Sequence, residues 1–333
     1  MTPIEPFPSL RLSVLLPVWN ERQHIGPAVA AFRALRYRPR ELVLCAGGPD
    51  GSYAEAGRCA GDDIVVLQQH PGEGKQRALE CCFAASRGEI LFLTDADARL
   101  TDAAVEATVG PLLSGVVEAA TGTRRPLVEQ QGQALVAYQW AIELAGNARM
   151  PDPSPGLLGS NAALTRRAAE AIGGFHWAAP TGTDYSLACR LRGAGYPIRL
   201  VRESAMPVAF ATTLRDYSRQ RARWLRTPLL AGWSQGDMAV LRQSLQPVAL
   251  GLLFLLLPWL PGPLRRPGRM SWCLLFLTGW LRRLAHVRAA PPEVRAVFRP
   301  RRWPLLGVYT AIDLVTWARA GIECVVPSWR GRW

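Results

Sequence analysis

The chain contains no Cys-x-x-Cys pair. Its seven cysteines are scattered over 333 residues, with only Cys81 and Cys82 adjacent, which excludes the usual zinc spacings and a secreted disulfide framework and fits a reducing compartment. The first ten residues have neither the basic start nor the apolar centre of a signal peptide. The N-terminal part is therefore expected to stay on the side of the membrane where it is made. No internal repeat and no low-complexity tract is present, which speaks against a solenoid or a disordered linker. Acidic residues are in deficit: 26 Asp and Glu stand against 39 Lys and Arg, a formal net charge of +13. That balance suits a nucleic acid, a nucleotide or an anionic membrane as partner. Basic and aromatic residues are densest together after Trp224, beside Leu-rich runs, which favours the membrane over a nucleic acid.

Apolar runs long enough to cross a bilayer unaided, about 17–20 residues, are also missing. Three shorter segments lie at about 247–262, 270–281 and 303–326, the last interrupted by Asp313, Arg319 and Glu323. The first reaches spanning length only by borrowing its flanks, and Pro258, Pro261, Gly262 and Pro263 predict a bent or re-entrant hairpin after it. Arg265, Arg266, Arg269, Trp272, Arg282, Arg283, Arg301, Arg302 and Trp303 stand at the run edges as interface anchors would. The alternative is a set of buried helices in a soluble domain.

What is present upstream is an alternation of strand-like runs (12–17, 41–45, 64–67, 90–94) with helical stretches (25–35, 52–59, 75–86). Such an order predicts an α/β fold: a mostly parallel sheet covered by helices on both faces. Gly88 and Gly173-Gly174 stop helices, and 150–159, rich in Pro and Gly, reads as a loop. Ligands of such sheets bind at the carboxyl edges of the strands. Asn20 and Asp95 fall there.

Chemistry-bearing residues cluster at those ends. Asp95-Ala96-Asp97 follows a strand and offers oxygen ligands to a hard divalent cation, or else a solvated turn and helix cap. Pro17-Val18-Trp19-Asn20-Glu21 closes the first strand, where Asn20 also suits the N-cap of the next helix. Lys75, in Gly74-Lys75-Gln76-Arg77-Ala78-Leu79, begins a helix facing the same edge, well placed to offset phosphate charge. Asp184 opens another helix, as a general base or as a plain N-cap. Gln220, Arg223 and Trp224 share one helix face, while Arg215, Arg219, Arg221 and Arg226 read as a basic face lying on anionic lipid.

Together these pieces resemble the processive-type family 2 glycosyltransferases of GT-A fold. They are similar to the membrane-associated Gln-x-x-Arg-Trp type, which includes ceramide and diacylglycerol glucosyltransferases and cellulose and hyaluronan synthases. Gly159-Ser160-Asn161, Thr165-Arg166-Arg167 and Gly173-Gly174-Phe175 match that family's acceptor-side strand, helix and turn.

The resemblance implies an inverting transfer from a nucleoside-diphosphate sugar, UDP-linked, with Mg²⁺ or Mn²⁺ on Asp97 and Asp95. It puts Pro17, Asn20 and Glu21 at the base and ribose, Asp95 also at the nucleotide or sugar, Lys75 at the donor phosphates and Asp184 as the base. Arg223 then clamps the diphosphate, Trp224 stacks on the acceptor and Gln220 hydrogen-bonds it. Trp19 replaces a Tyr, and Thr183 an acidic residue. Cys45 and Ala46 stand where a uracil-binding carboxylate belongs, leaving Asp50 as the nearest substitute.

The expected organisation is a GT-A domain over 1–226, on the cytoplasmic side, and a membrane-associated helical region over 227–333. So short a tail points to a membrane lipid acceptor, with no nucleic-acid partner. A polyprenyl-phosphate sugar transferase, a small polysaccharide synthase and a non-catalytic membrane scaffold are the alternatives.

Overall fold

The computed structural model describes residues 10–177 and 182–326; residues 1–9, part of the stretch that carries the signal-peptide reading, lie outside it. In chain order the strands are β1 (Leu12–Trp19), β2 (Arg40–Gly47), β3 (Ile64–Gln68), β4 (Ile90–Leu93), β5 (Ala119–Pro126), β6 (Ala162–Thr165) and β7 (Ile198–Val208). The helices are α1 (Arg22–Ala34), α2 (Ser52–Gly57), α3 (Gly74–Ala85), α4 (Asp102–Leu113), α5 (Ala134–Asn147), α6 (Arg166–Ala171), α7 (Thr183–Gly193), α8 (Leu214–Gln235), α9 (Met238–Leu256), α10 (Arg265–Ala289), α11 (Pro292–Val297) and α12 (Trp303–Val325).

All the strands join one sheet in the order β3-β2-β1-β4-β6-β5-β7. The first four run parallel, and β6 is antiparallel to both β4 and β5. The mostly parallel α/β reading holds. Its cause is visible in β1, where successive side chains point to opposite faces. Leu12, Val14 and Leu16 enter a core with Phe32 of α1 and Val105 of α4. Leu15 enters the other, with Leu79 of α3 and Leu187 of α7. β2 is buried along its whole length, as a central parallel strand covered on both faces must be.

Compactness divides the chain into two units: Met1–Arg125 with Met150–Ala209, and Pro126–Arg149 with Phe210–Trp333. That differs from the expected division at 226, because α5 and α8 both go with the C-terminal helices.

In the second unit α5 packs with α10 and α11, its Tyr138 and Leu135 meeting Leu284, Val294 and Phe298. Gly251 of α9 and Gly321 of α12 mark a close helix pairing: a Cβ on Gly251 would come 2.4 Å from the Leu314 carbonyl oxygen, and one on Gly321 2.3 Å from Val248. Small residues at such contacts let backbones approach. The hairpin expected at Pro258–Pro263 is there as two short 3₁₀ turns between α9 and α10.

Among the described residues two segments are long and apolar enough to cross a membrane, Val240–Trp259 and Pro300–Val325, and more than half of the most apolar stretch of each lies outside the protein's interior. The run at 270–281 forms the middle of α10.

Three arginines read as lipid-facing are engaged by protein instead. Arg283 is buried and donates to Asp313, which also accepts from the Tyr138 and Tyr217 hydroxyls. Arg226 pairs with Glu323 at 3.2 Å, and Arg319 joins the same carboxylate at 2.6 Å. Arg221 lies between the rings of Tyr217 and Trp224. A buried carboxylate needs such partners to stay charged. Thus the interruptions of the last apolar segment are internal ion pairs. Arg265, Arg266, Arg269, Arg282, Arg301 and Arg302 are exposed, as anchors should be.

Candidate active site

The parallel strands end together, so the loops after β1, β2, β3 and β4 meet at one sheet edge. The loop after β4 is the most firmly held. Thr94 N donates to Leu15 O, Arg99 N to Pro207 O, and Ala209 N to the carbonyl of Asp97. These bonds to β1 and to the end of β7 fix Asp95 and Asp97 on a short turn. Neither caps α4; Thr101 does, accepting from Ala104 N. The solvated-cap alternative for this pair is thereby replaced by a pinned turn.

Three sequence-distant charges come together here. Lys75, on the first turn of α3, places its ammonium 2.8 Å from Asp95 Oδ1 and 3.4 Å from Asp184 Oδ1. Burial works against the charge on Lys75, but Asp184 and Asp95 outweigh it and hold the ammonium well above its ordinary range. Gln69 steadies the start of α3 by donating from Nε2 to Gly74 O at 3.0 Å.

Asp184 lies in the first turn of α7, whose N-cap is Gly182 in the left-handed region, so its side chain is not the cap. An acid there is favoured by the helix N-terminus. Its carboxylate rests on Gly159: a Cβ at that position would fall 2.4 Å from both oxygens. No spacing rule in the sequence connects Gly159 with Asp184, and only the fold supplies the contact.

Asp97 has its carboxyl pKa pushed up to about 6, first by burial and then by the negative charge of Asp95, with Arg124 and Lys75 pulling the other way. Two carboxylates held two residues apart against their mutual repulsion are a fitting donor set for a divalent cation. Among the described residues there is no group of three or more His, Cys, Asp or Glu that could hold a metal. A cation at Asp95 and Asp97 would thus complete its shell with water and substrate oxygens, a pattern usual for Mg²⁺ beside phosphates.

A second cluster at the same edge joins the loops after β1 and β2. Asn20, expected as a helix cap, instead has φ +58, the only positive value outside glycine among the described residues; Glu21 takes the cap position of α1. Asn20 N donates to Gly47 O, and its side chain lies over Gly48, where a Cβ would come 2.2 Å from Oδ1. Trp19 covers Gly47 in the same way. Pro17 pairs with Cys45 across the strands.

Asp50 accepts from Arg22 N, Ser52 N and Ser52 Oγ, while Ser52 Oγ accepts from Glu21 N. The Arg22 N–H, helped by Ser52, holds the Asp50 carboxyl below its ordinary range. Both oxygens of Asp50 are committed to this clamp between loops. Ser52 is its centre, a role that no motif or spacing in the chain marks.

Gln220, Arg223 and Trp224 lie on α8 of the second unit. Gln220 and Trp224 are half-buried, while Arg223 is exposed.

A model described as glycosyl transferase family group 2 matches residues 90–317, more than half of the chain. Over 233 residues the chain is 24% identical to Probable glycosyltransferase YdaM of Bacillus subtilis (strain 168), covering 65% of this chain and 54% of that protein. The chain therefore spans about half the length of this curated relative.

Among solved structures, the mannosyltransferase PcManGT from Pyrobaculum calidifontis, in complex with GDP-Man and Mn²⁺, superposes with a TM-score of 0.60 at 19% identity. That likeness covers 96% of this chain and 88% of the other, and shows a shared GT-A-type fold. Glucosyl-3-phosphoglycerate synthase from Mycobacterium tuberculosis, bound to Mn²⁺, UDP and glucosyl-3-phosphoglycerate, gives a TM-score of 0.45 at 19% identity over 66% of this chain and 79% of that one, too slight to bear on function.

Proposed function

Because this chain belongs to glycosyl transferase family group 2, we propose that it transfers a sugar, with inversion, from a nucleoside diphosphate to a membrane lipid. The observation that carries the reading is the meeting of Lys75, Asp95 and Asp184 beside Asp97 at the sheet edge. A divalent cation on Asp97 and Asp95, Mg²⁺ or Mn²⁺, would neutralise charge on the leaving diphosphate.

The chain's own residues do the rest. Lys75 moves from the carboxylates to a donor phosphate, which leaves Asp184 free of its counter-charge. Asp184 then takes the proton of the acceptor hydroxyl as that oxygen bonds to the anomeric carbon and the diphosphate departs. Asn20, Glu21 and Pro17 shape the nucleotide side, with Asp50 supporting it through the Ser52 clamp. Gln220, Arg223 and Trp224 keep the acceptor and diphosphate roles that the resemblance gives them, and the exposure of Arg223 supports its part.

Two donors are in play. UDP follows from the resemblance, whereas the mannosyltransferase likeness, in complex with GDP-Man, favours GDP, and Cys45 and Ala46 offer no carboxylate to a uracil. Incubating detergent-solubilised protein with labelled UDP- and GDP-sugars and a total lipid extract tests the proposal. A cation-dependent, chloroform-soluble product is expected. Label that stays water-soluble with every donor overturns the lipid acceptor.

Gly159→Ala should push the Asp184 carboxylate out of place. Since a shift of about 1 Å can cost on the order of 10²-fold in rate, kcat should fall about 10- to 100-fold with donor affinity and melting temperature kept. Steady-state kinetics and a thermal melt check it, and an unchanged kcat removes Gly159 from the base's seat.

The raised carboxyl of Asp97 sets a pH dependence. Its ordinary pKa is 3.8 and its folded value about 6, so without a cation the folded protein holds this proton more tightly than the unfolded chain. The group therefore costs stability as pH rises from about 4 to 6, and the cost persists above. A bound cation cancels it and needs the ionised form. Mn²⁺ should raise the melting temperature more at pH 7.5 than at pH 5.5, and an equal rise at both contradicts the assignment.

Val240–Trp259 and Pro300–Val325, together with the exposed arginines at 265, 266 and 269, should hold the protein on membranes by apolar insertion. High salt then leaves it in the pellet and detergent releases it. Quantitative release by salt alone would make the apolar helices an internal core.

A further inference from the structure

The second unit contains a cavity of about 670 Å³ between the C-terminal half of α8, α9 and the end of α12. Leu229, Leu230 and Trp233 line it from α8, Leu245 and Leu252 from α9, and Ile322 from α12. Every described lining residue is apolar, a glycine or a cysteine. Its size falls in the range of about 300–1,000 Å³ usual for sites that enclose a small molecule. Its walls are mostly apolar, so water finds few partners there.

Two observations say what fills it. The cavity lies between the two segments able to cross a membrane, and its own lining leaves Trp233, Leu245, Ile322 and Val325 exposed at the surface. A molecule entering from that side comes out of hydrocarbon. In addition, α8 is itself built like a binding surface for an amphiphile. Its first half presents Gln220, Arg223 and Trp224; its second half presents Leu229, Leu230 and Trp233 to the cavity. Arg223 and Leu230, seven residues apart, fall on one face of α8, about 10 Å from each other along the helix. The Arg223 guanidinium makes no hydrogen bond or ion pair among the described residues, so it is free for an anionic group at the polar end.

We propose that this cavity holds the hydrocarbon chain of the lipid acceptor while its polar head lies against the first half of α8. The inference rests on the lipid-acceptor reading above and adds the site that selects for chain. Burial of methylenes in this apolar cavity then contributes to acceptor affinity in proportion to chain length.

The test uses the full-length protein and two acceptors that share a head group and differ in chain, one of about four carbons and one of about sixteen, lengths at which reversible chain burial is absent or strong. Leu245→Trp and Leu252→Trp each place bulk into the cavity from α9. The ratio of kcat/KM for the long over the short acceptor should fall about tenfold or more in both variants, the effect of losing only a few buried methylenes. General loss of folding lowers both numbers and leaves the ratio alone, so the ratio is read only on variants that retain a wild-type melting temperature. An unchanged ratio in both overturns the cavity assignment and leaves the lipid acceptor standing. Reduced membrane retention with an unchanged ratio assigns the cavity to bilayer lipid and overturns it equally. If the wild-type protein labels neither acceptor, the lipid reading itself falls, and the cavity's role with it.

Discussion

Asp97→Ala removes sugar transfer, with kcat/KM down by at least about 10³-fold, the scale of several kcal/mol that a catalytic cation contributes. The metal-free variant should melt at or above the wild-type temperature. The reason is the same in both cases: a carboxylate held beside Asp95 with its pKa pushed up to about 6 is disfavoured in the empty fold and of use once a cation arrives. The turn itself survives, because the Asp97 atom that holds it is the backbone carbonyl bonded to Ala209. Activity measured against a Mn²⁺ titration, beside a thermal melt, decides. Near wild-type turnover at limiting cation would remove Asp97 from the metal site.

Asp184→Asn is the second large effect. The amide keeps the shape that rests on Gly159 but cannot accept the acceptor's proton, so kcat should fall by about 10² or more, the usual worth of a positioned base. Lys75 stays beside Asp95 in the free protein, at 2.8 Å, and can still move to a donor phosphate, so donor affinity should stay close to wild type. Single-turnover kinetics with donor binding measured separately distinguish the roles. Lost donor binding with normal turnover of bound donor would move Asp184 to the nucleotide side.

Much of the first unit could be read from periodicity and strand-end chemistry. β1 to β4 and the helices between them lie within a few residues of where alternating apolar runs put them, and Asp95, Asp97 and Lys75 fall at one edge because parallel strands force their ends together. The contacts that make a site of them were not legible. Nothing local in the sequence says that Gly159 seats Asp184, or that Ser52 ties Glu21 to Asp50, since each depends on loops brought together by the sheet. Asn20 misled for a related reason: its type suits a helix cap, but it also tolerates the left-handed backbone that lets it cover Gly48.

The tail misled through charge. Arg221, Arg226 and Arg283 look like lipid-facing cations when only their neighbours in sequence are considered, whereas Glu323 and Asp313 of α12 pair with Arg226 and Arg283, and Glu143 of α5 lies 4.0 Å from Arg221. An arginine's face is set by such distant partners, which periodicity alone does not record.

The assignment of α5 to the second unit bears on how the protein is made. Tyr138 meets Arg283 across 145 residues and Asp313 across 175. At about 5–20 residues per second of synthesis, its apolar face waits on the order of ten seconds or longer for the helices that cover it. Through that interval the nascent chain lacks the α10, α11 and α12 residues that Leu135, Tyr138 and Ala141 pack against. A chain ended at 226 never leaves this state: it carries every residue of the charged cluster at the sheet edge, yet exposes the surface that α10, α11 and α12 were to bury. The boundary that the motifs mark at 226 is thus not a boundary of packing, since α5 and α8 belong to one compact unit with the helices that follow it.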